Sequence, residues 1–161
     1  MSASDKILTR ETLPEWRAEL RRAGRRLVVT NGCFDLLHAG HVTYLERARA
    51  QGDVLLVGLN GDASVRELKG PDRPVVPEGD RALVLAGLGC VDAVCIFSEV
   101  RAHRFLSLAQ PDIYVKGGDY CLATLNPDER RAVESARGQI VFIPFLPGRS
   151  TSSLLAKIQK L

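Results

Sequence analysis

An open α/β domain, with a five-stranded parallel sheet and helices on both faces, is the fold class that this sequence predicts. Three observations carry it. Apolar runs recur at Arg26–Thr30, Asp53–Leu59, Ala93–Phe97, Asp112–Val115 and Gln139–Ile143, with stretches of helix length between them. The runs are nearly continuous rather than alternating, as in strands covered on both faces. Strands that alternate with helices imply βαβ units and right-handed crossovers. At 161 residues the chain has room for one domain and too little for two ordinary ones.

Taken in order, Thr12-Leu13-Pro14-Glu15 reads as a capping box, opening a helix that ends near Gly24. Residues 1–25 then form a helical extension and residues 26–161 the main domain. After Arg26–Thr30, a helix is expected from about Gly40 to Gln51, stopped by Gly52. Asp53–Leu59 leads into a proline-punctuated loop holding Val75 and Val76, then a helix from about Gly79 to Leu88. Ala93–Phe97, a helix over Val100–Ala109 and Asp112–Val115 continue the alternation. Asn126-Pro127 opens the next helix with proline in its first turn. Gln139–Ile143 is the fifth strand, and Ser150 caps the last helix.

Composition narrows the function. Hydrophobic residues make up 45% and charged residues 25%, which fits a soluble globular protein and excludes a disordered or fibrous chain. Val54–Leu59 and Ala82–Cys90 fall well short of a membrane span, so no membrane association is expected. Met1–Arg10 lacks the pattern of a signal peptide, and the expected compartment is cytoplasmic. The net charge of +3 suits anionic small molecules and is no nucleic-acid signature. Arg17, Arg21, Arg22, Arg25 and Arg26 lack interleaved aromatics and read as a solvated face, so no nucleic-acid partner is expected. Cys33, Cys90, Cys95 and Cys121 contain no C-x-x-C pair and are read as reduced.

Ligands on such a sheet bind beyond the carboxyl ends of the strands. The first loop there, Asn31-Gly32-Cys33-Phe34-Asp35-Leu36-Leu37-His38-Ala39-Gly40-His41, has neither a G-x-G-x-x-G nor a P-loop pattern. Its two histidines, three apart at a helix start, put both imidazoles on one side of the first turn. The free N–H groups of that turn point the same way, making a donor-rich pocket for phosphate. A zinc pair lacks a third ligand, and Cys33 as a nucleophile lacks an orienting partner; phosphate binding is the favoured reading. Asn60-Gly61-Asp62, Lys69, Arg73 and Arg81 add cations around a glycine- and proline-rich loop, suited to a polyphosphate or sugar phosphate. Lys116-Gly117-Gly118-Asp119-Tyr120 is open to two readings, a tight turn or a close backbone approach with Asp119 accepting from a ribose or sugar hydroxyl. Gly148-Arg149-Ser150-Thr151-Ser152-Ser153 offers hydroxyls and amides at a second helix start.

With these motifs in view, T-N-G-C-F-D-L-L-H-A-G-H resembles the H-x-G-H signature of the cytidylyltransferase-like nucleotidyltransferases. K-G-P-D-R-P-V and V-K-G-G-D-Y resemble the branch of that family that adenylylates a heptose 1-phosphate in lipopolysaccharide precursor synthesis. The likeness runs from about Arg26 to Leu161. Gly61 and Ser152 depart from it, standing where relatives often carry Ser and a second Thr. The resemblance implies a single Rossmann-like domain, transfer of AMP from ATP to a sugar 1-phosphate, Mg2+ arriving with ATP, and a homodimer. It implies His38, His41 and Lys69 as catalytic residues and no protein-held metal. Asn31, Gly32, Cys33, Phe34, Asp35, Gly40, Arg81, Gly118, Asp119, Ser150, Thr151 and Ser152 would bind the nucleotide. Asn60, Asp62, Arg73 and Lys116 would lie on the sugar-phosphate side. The Phe145–Thr151 stretch lacks the R-T-x-G-x-S-T pattern of the cytidylyltransferases for glycerol phosphate, the rival within the family. A non-catalytic nucleotide-binding module is the rival from another class.

Overall fold

Six parallel strands form the sheet in the computed structural model, which describes residues 1–161. The strands are β1 (Ile7–Leu8), β2 (Leu27–Gly32), β3 (Val54–Asn60), β4 (Ala93–Phe97), β5 (Ile113–Gly117) and β6 (Gln139–Ile143). Their spatial order is β1-β4-β3-β2-β5-β6. The helices are α1 (Leu13–Arg22), α2 (Ala39–Arg49), α3 (Asp62–Lys69), α4 (Glu78–Ala86), α5 (His103–Ala109), α6 (Pro127–Ser135) and α7 (Thr151–Ile158).

The expectation of five strands is therefore corrected to six. The additional strand is β1, whose Ile7 and Leu8 pair with Val94 and Cys95 at the sheet edge. Two residues in a polar N-terminal segment carry no periodicity that sequence reading could detect. Helix α3 (Asp62–Lys69) stands within the stretch expected to be loop. Thr12 does not form the expected capping box: its hydroxyl accepts from the Thr9 amide and donates to the Thr9 carbonyl instead. The helix still stops where expected, with Gly24 at φ +66°.

Side-chain alternation along the strands sorts the apolar residues onto two faces. Val29, Leu56, Phe97 and Tyr114 pack with Leu13, Phe105, Leu106 and Val133 under α1, α5 and α6. Val28, Leu55, Val57 and Val115 pack with Tyr44, Leu45, Ala82 and Leu85 under α2 and α4. Each face holds 16 buried residues, so the sheet is covered equally on both sides, as the continuous apolar runs require. At the amino edge, Asp53, Asp92 and Asp112 accept the amides of Arg26, Leu55 and Leu27, at 2.7–2.8 Å. Those bonds fix the register of the central strands and so the positions of the loops at the opposite edge. The winding runs from β2 to β3 and β4 on one side, then to β5 and β6 on the other. It reverses between β2 and β5, and there a crevice is expected at the carboxyl ends.

Candidate active site

The loop from β2 to α2 stands at that reversal, and its two histidines form one unit. His38 is the N-cap of α2, and its Nδ1 accepts from the Gly40 amide at 3.1 Å. His41 Nδ1 accepts from the His38 amide at 3.3 Å, so each histidine satisfies an otherwise orphaned helix-start donor. The imidazoles lie 3.9 Å apart between centroids, with planes 31° from parallel. Because both Nδ1 atoms accept, the protons of the neutral rings sit on Nε2. Burial, reinforced by the neighbouring His38, pushes the His41 pKa down to about 4. His38 is also lowered, by burial and then by the Arg149 guanidinium. At neutral pH the pair offers two N–H donors and no charge.

Gly40 makes this packing fit. A Cβ there would lie 2.8 Å from the His38 ring and 3.0 Å from Arg149 Cβ. Its bare backbone thus lets the loop before α7 close against the first turn of α2. Thr151 Oγ1 ties the same junction, donating to the Asp35 carbonyl at 2.6 Å. Ser150 caps α7 by accepting from the Ser153 amide at 3.0 Å. Ser152 is exposed beside it.

Two of the expected cations are held within the protein framework. The Asp35 side chain is fully buried and accepts from Arg73 Nε at 2.8 Å and from the Val75 and Val76 amides at 2.8 and 3.0 Å. Burial alone would raise its pKa, but the bonds from Val75, Arg73 and Val76 outweigh that and hold it below the usual carboxylate value. Arg81 is 2% exposed, and its guanidinium donates to the carbonyls of Val76, Cys33 and Asn60 and to Asp62 Oδ1. Arg81 thereby joins the first loop to the ends of β3 and α4. Asn60 is buried and donates to Ser64 Oγ at 3.2 Å. Lys69, at the last turn of α3, is exposed. It lies close enough to the Cys33 thiol to draw its pKa down, with Arg81 and Arg73, against the larger upward push of burial. Phe34 is buried in the α2/α4 core and tilts against His41, 5.5 Å between centroids.

Across the crevice, β2 and β5 run further than the sequence indicated and carry Asn31-Gly32 and Lys116-Gly117 within strands. Tyr114 donates its hydroxyl to Asn31 Oδ1 at 2.6 Å, which leaves the Asn31 NH2 group as the free end. The Lys116 ammonium lies 3.9 Å from Glu129 Oε2 and over the Tyr120 ring, 4.7 Å from its centroid. Burial lowers the Lys116 pKa, with Glu129 opposing. Phe145 covers Gly117 and Gly118, where any Cβ would collide with its ring. Asp119 follows as an exposed residue.

The structure thus gathers His38, His41, Gly40, Asp35, Arg73, Arg81 and Thr151 in one connected cluster, with Asn31 and Lys116 on the opposite sheet face. Sequence reading passed over Arg149, although it stands inside the quoted G-R-S-T segment, because its proximity to His38 needs the fold. It also passed over Tyr114 and Glu129, which lie in runs that read as strand core and helix. No group of three or more His, Cys, Asp or Glu side chains is placed to hold a metal ion.

The cytidylyltransferase-like family model matches residues 29–154. The chain belongs to that family. As a family member it is 47% identical over 156 residues to the bifunctional protein HldE of Trichlorobacter lovleyi, covering 97% of this chain and 31% of that protein. It is 51% identical over 143 residues to the bifunctional protein HldE of Geotalea uraniireducens, covering 89% of this chain and 29% of that one. The chain therefore spans about a third of the length of these curated relatives. Among solved structures, it resembles the lipopolysaccharide core biosynthesis protein of Thermoplasma volcanium, with 25% identity and a TM-score of 0.62. That match covers 76% of this chain and 98% of the other. The pantoate-beta-alanine ligase of Francisella tularensis, at 14% identity and a TM-score of 0.61, shares the fold. It covers 96% of this chain and 72% of its own. No helix is long and apolar enough to cross a membrane.

Proposed function

We propose that this family member transfers the adenylyl group of ATP to the anomeric phosphate of a heptose 1-phosphate, releasing pyrophosphate. The observation that carries the reading is the closely apposed His38–His41 pair, with both Nδ1 atoms occupied and both Nε2–H donors left for a ligand. The identity to the HldE proteins and the likeness to a lipopolysaccharide core biosynthesis protein support heptose chemistry.

In this reaction an acceptor phosphate oxygen attacks the α-phosphorus of ATP. The bond from that phosphorus to the bridging oxygen breaks, and its electron pair leaves with pyrophosphate. The second pKa of a phosphate monoester is about 6, so the nucleophile is already largely ionised at neutral pH and needs no general base. What the protein must supply is alignment of two anions and preorganised donors for the charge that develops. His38 and His41 donate to the α- and β-phosphates from Nε2. Ser150, Thr151 and Ser152 receive the outer phosphates at the start of α7, and Lys69 bridges donor and acceptor phosphates.

Strand alternation supports a division of labour. Asn31 and Lys116 share the sheet face of Val29 and Tyr114, opposite to the face covered by α2. The acceptor phosphate meets Lys116 and the Asn31 amide there, while the nucleotide phosphates lie over α2 and α7. Asp119 takes the ribose hydroxyls. Asp35, Asp62, Arg73 and Arg81 act by holding the loops, since their polar atoms bond one another and the backbone. Asp35 and Asp62 are each paired with an arginine. ATP enters as its magnesium complex, in which the phosphates supply most of the oxygen ligands.

Pyrophosphate release with magnesium, from ATP or CTP, each with β-heptose 1-phosphate or glycerol 3-phosphate, tests the proposal. Release with ATP and the heptose phosphate alone supports it. Release with CTP and glycerol phosphate keeps the site and overturns the substrates. Nucleotide binding with no release in any combination favours a non-catalytic module.

A further inference from the structure

The proposed reaction expels a highly charged pyrophosphate, and the histidines facing it are neutral. The cations nearest the histidine loop do not offset that charge freely: Arg73 is paired with Asp35, and Arg81 is buried against three carbonyls and Asp62. A cavity of about 480 Å³ opens beside His38 and is also lined by Arg149, Ser150, Ser153 and Lys157. Arg149 is exposed, and its one hydrogen bond, to the Gly148 carbonyl, is long at 3.4 Å. Its Cβ nonetheless packs against α2, where a Cβ added at position 40 would lie only 3.0 Å from it. The guanidinium is therefore rooted at the histidine pair while its N–H groups remain available.

Resting on the adenylyl-transfer reading, we propose that Arg149 is a ligand of the β- and γ-phosphates that holds the departing pyrophosphate in the cavity beside His38, with Lys157 as the second cation. A guanidinium presents paired N–H donors in a planar fork that matches phosphate oxygens, and its charge does not titrate in the working range. Two neutral imidazoles at the α-phosphate and one permanent cation beyond them grade the potential along the triphosphate. Negative charge moves toward Arg149 as the bridging bond breaks. The guanidinium thus stabilises the leaving group more than the bound substrate, which is the condition for raising the rate.

The test compares wild type with R149Q and R149K, using R47Q on the outer end of α2 as a control for surface charge. Initial rates give KM for ATP, KM for the heptose phosphate and the inhibition constant for pyrophosphate. Calorimetric titration of pyrophosphate gives its affinity without turnover. A hydrogen bond to a charged group predicts that R149Q weakens pyrophosphate binding at least about tenfold and raises KM for ATP. It should leave KM for the acceptor within about twofold, and R149K should recover part of the loss because it restores charge without the fork. Equal pyrophosphate affinity in R149Q and wild type overturns the proposal, as does an equal loss in R47Q. If wild type releases no pyrophosphate from ATP, the reaction assigned above fails instead. The calorimetric comparison still decides whether Arg149 is an anion ligand.

Discussion

Adding one methyl group at Gly40 tests whether the histidine pair must sit where it does. The new Cβ would stand 2.8 Å from the His38 ring and 3.0 Å from Arg149 Cβ. An ordinary carbon–carbon contact begins near 3.5 Å, so the ring must retreat by about 0.7 Å or the α7 loop must lift. Neither is a free move, because His38 Nδ1 is bonded to the Gly40 amide and Thr151 pins α7 to Asp35. For stability two effects oppose each other. Alanine is favoured over glycine in a helix by about 0.5–1 kcal/mol, and overpacking costs about 1–3 kcal/mol. The net loss is then at most about 2.5 kcal/mol, and the protein should still fold. Activity has no such offset, since misplacing a reacting arrangement by about 1 Å costs on the order of 100-fold. Gly40→Ala is therefore expected to lower kcat about 100-fold while urea denaturation shows a shift of no more than about 2.5 kcal/mol. A kcat within threefold of wild type would refute the reasoning, because the imidazoles could then move without consequence.

Three further outcomes are expected. His41→Ala removes a preorganised donor and should lower kcat/KM by about 100- to 1,000-fold; near-normal turnover would take the pair out of the reaction. Asp35→Ala leaves Arg73 and the Val75 and Val76 amides without their buried acceptor and should cost about 3–5 kcal/mol in urea denaturation, the range for breaking a buried charge pair. A loss under about 1 kcal/mol would show that the loop is held by other contacts. The pH dependence follows from His41, whose pKa is about 4 in the folded protein and near 6.5 in a free chain. The unfolded state binds the extra proton first, so the contribution of neutral His41 is complete above pH 6.5 and is lost as the pH falls toward 4. Melting temperatures across that window should drop more steeply for wild type than for His41→Ala, and NMR titration of His41 with a midpoint near 6.5 would contradict the burial argument.

Much of the architecture was legible because it depends on short-range pattern. Runs such as Val54–Leu59 are apolar at every position, the composition of a strand covered on both faces. The histidine spacing placed two rings on one side of a first turn before any coordinates were needed. What escaped was of two kinds. Strand β1 exists because Ile7 and Leu8 find an open edge on β4, a tertiary event with no local signal. Helix α3 did carry a signal, since Ser64 and Val65 are buried while Arg66, Glu67 and Lys69 are exposed, but eight residues after an N-capping glycine read as loop.

The cations show the same division at the level of chemistry. Lys69, Arg73 and Arg81 had equal standing in the sequence as phosphate ligands, because a charge next to a glycine-rich loop is all that sequence displays. The fold separates them by what else lies within reach. Arg73 meets Asp35, Arg81 meets three carbonyls and Asp62, and Lys69 remains exposed at the end of α3. Arg149 meets only the carbonyl of the residue before it. Buried cations without partners are too costly to keep, so the two arginines that enter the interior become braces for the loops. The charges left for a ligand are those at the rim. Under the proposed reading, such a site would align its substrate with neutral donors and buried braces and place its exposed positive charge where the leaving group exits.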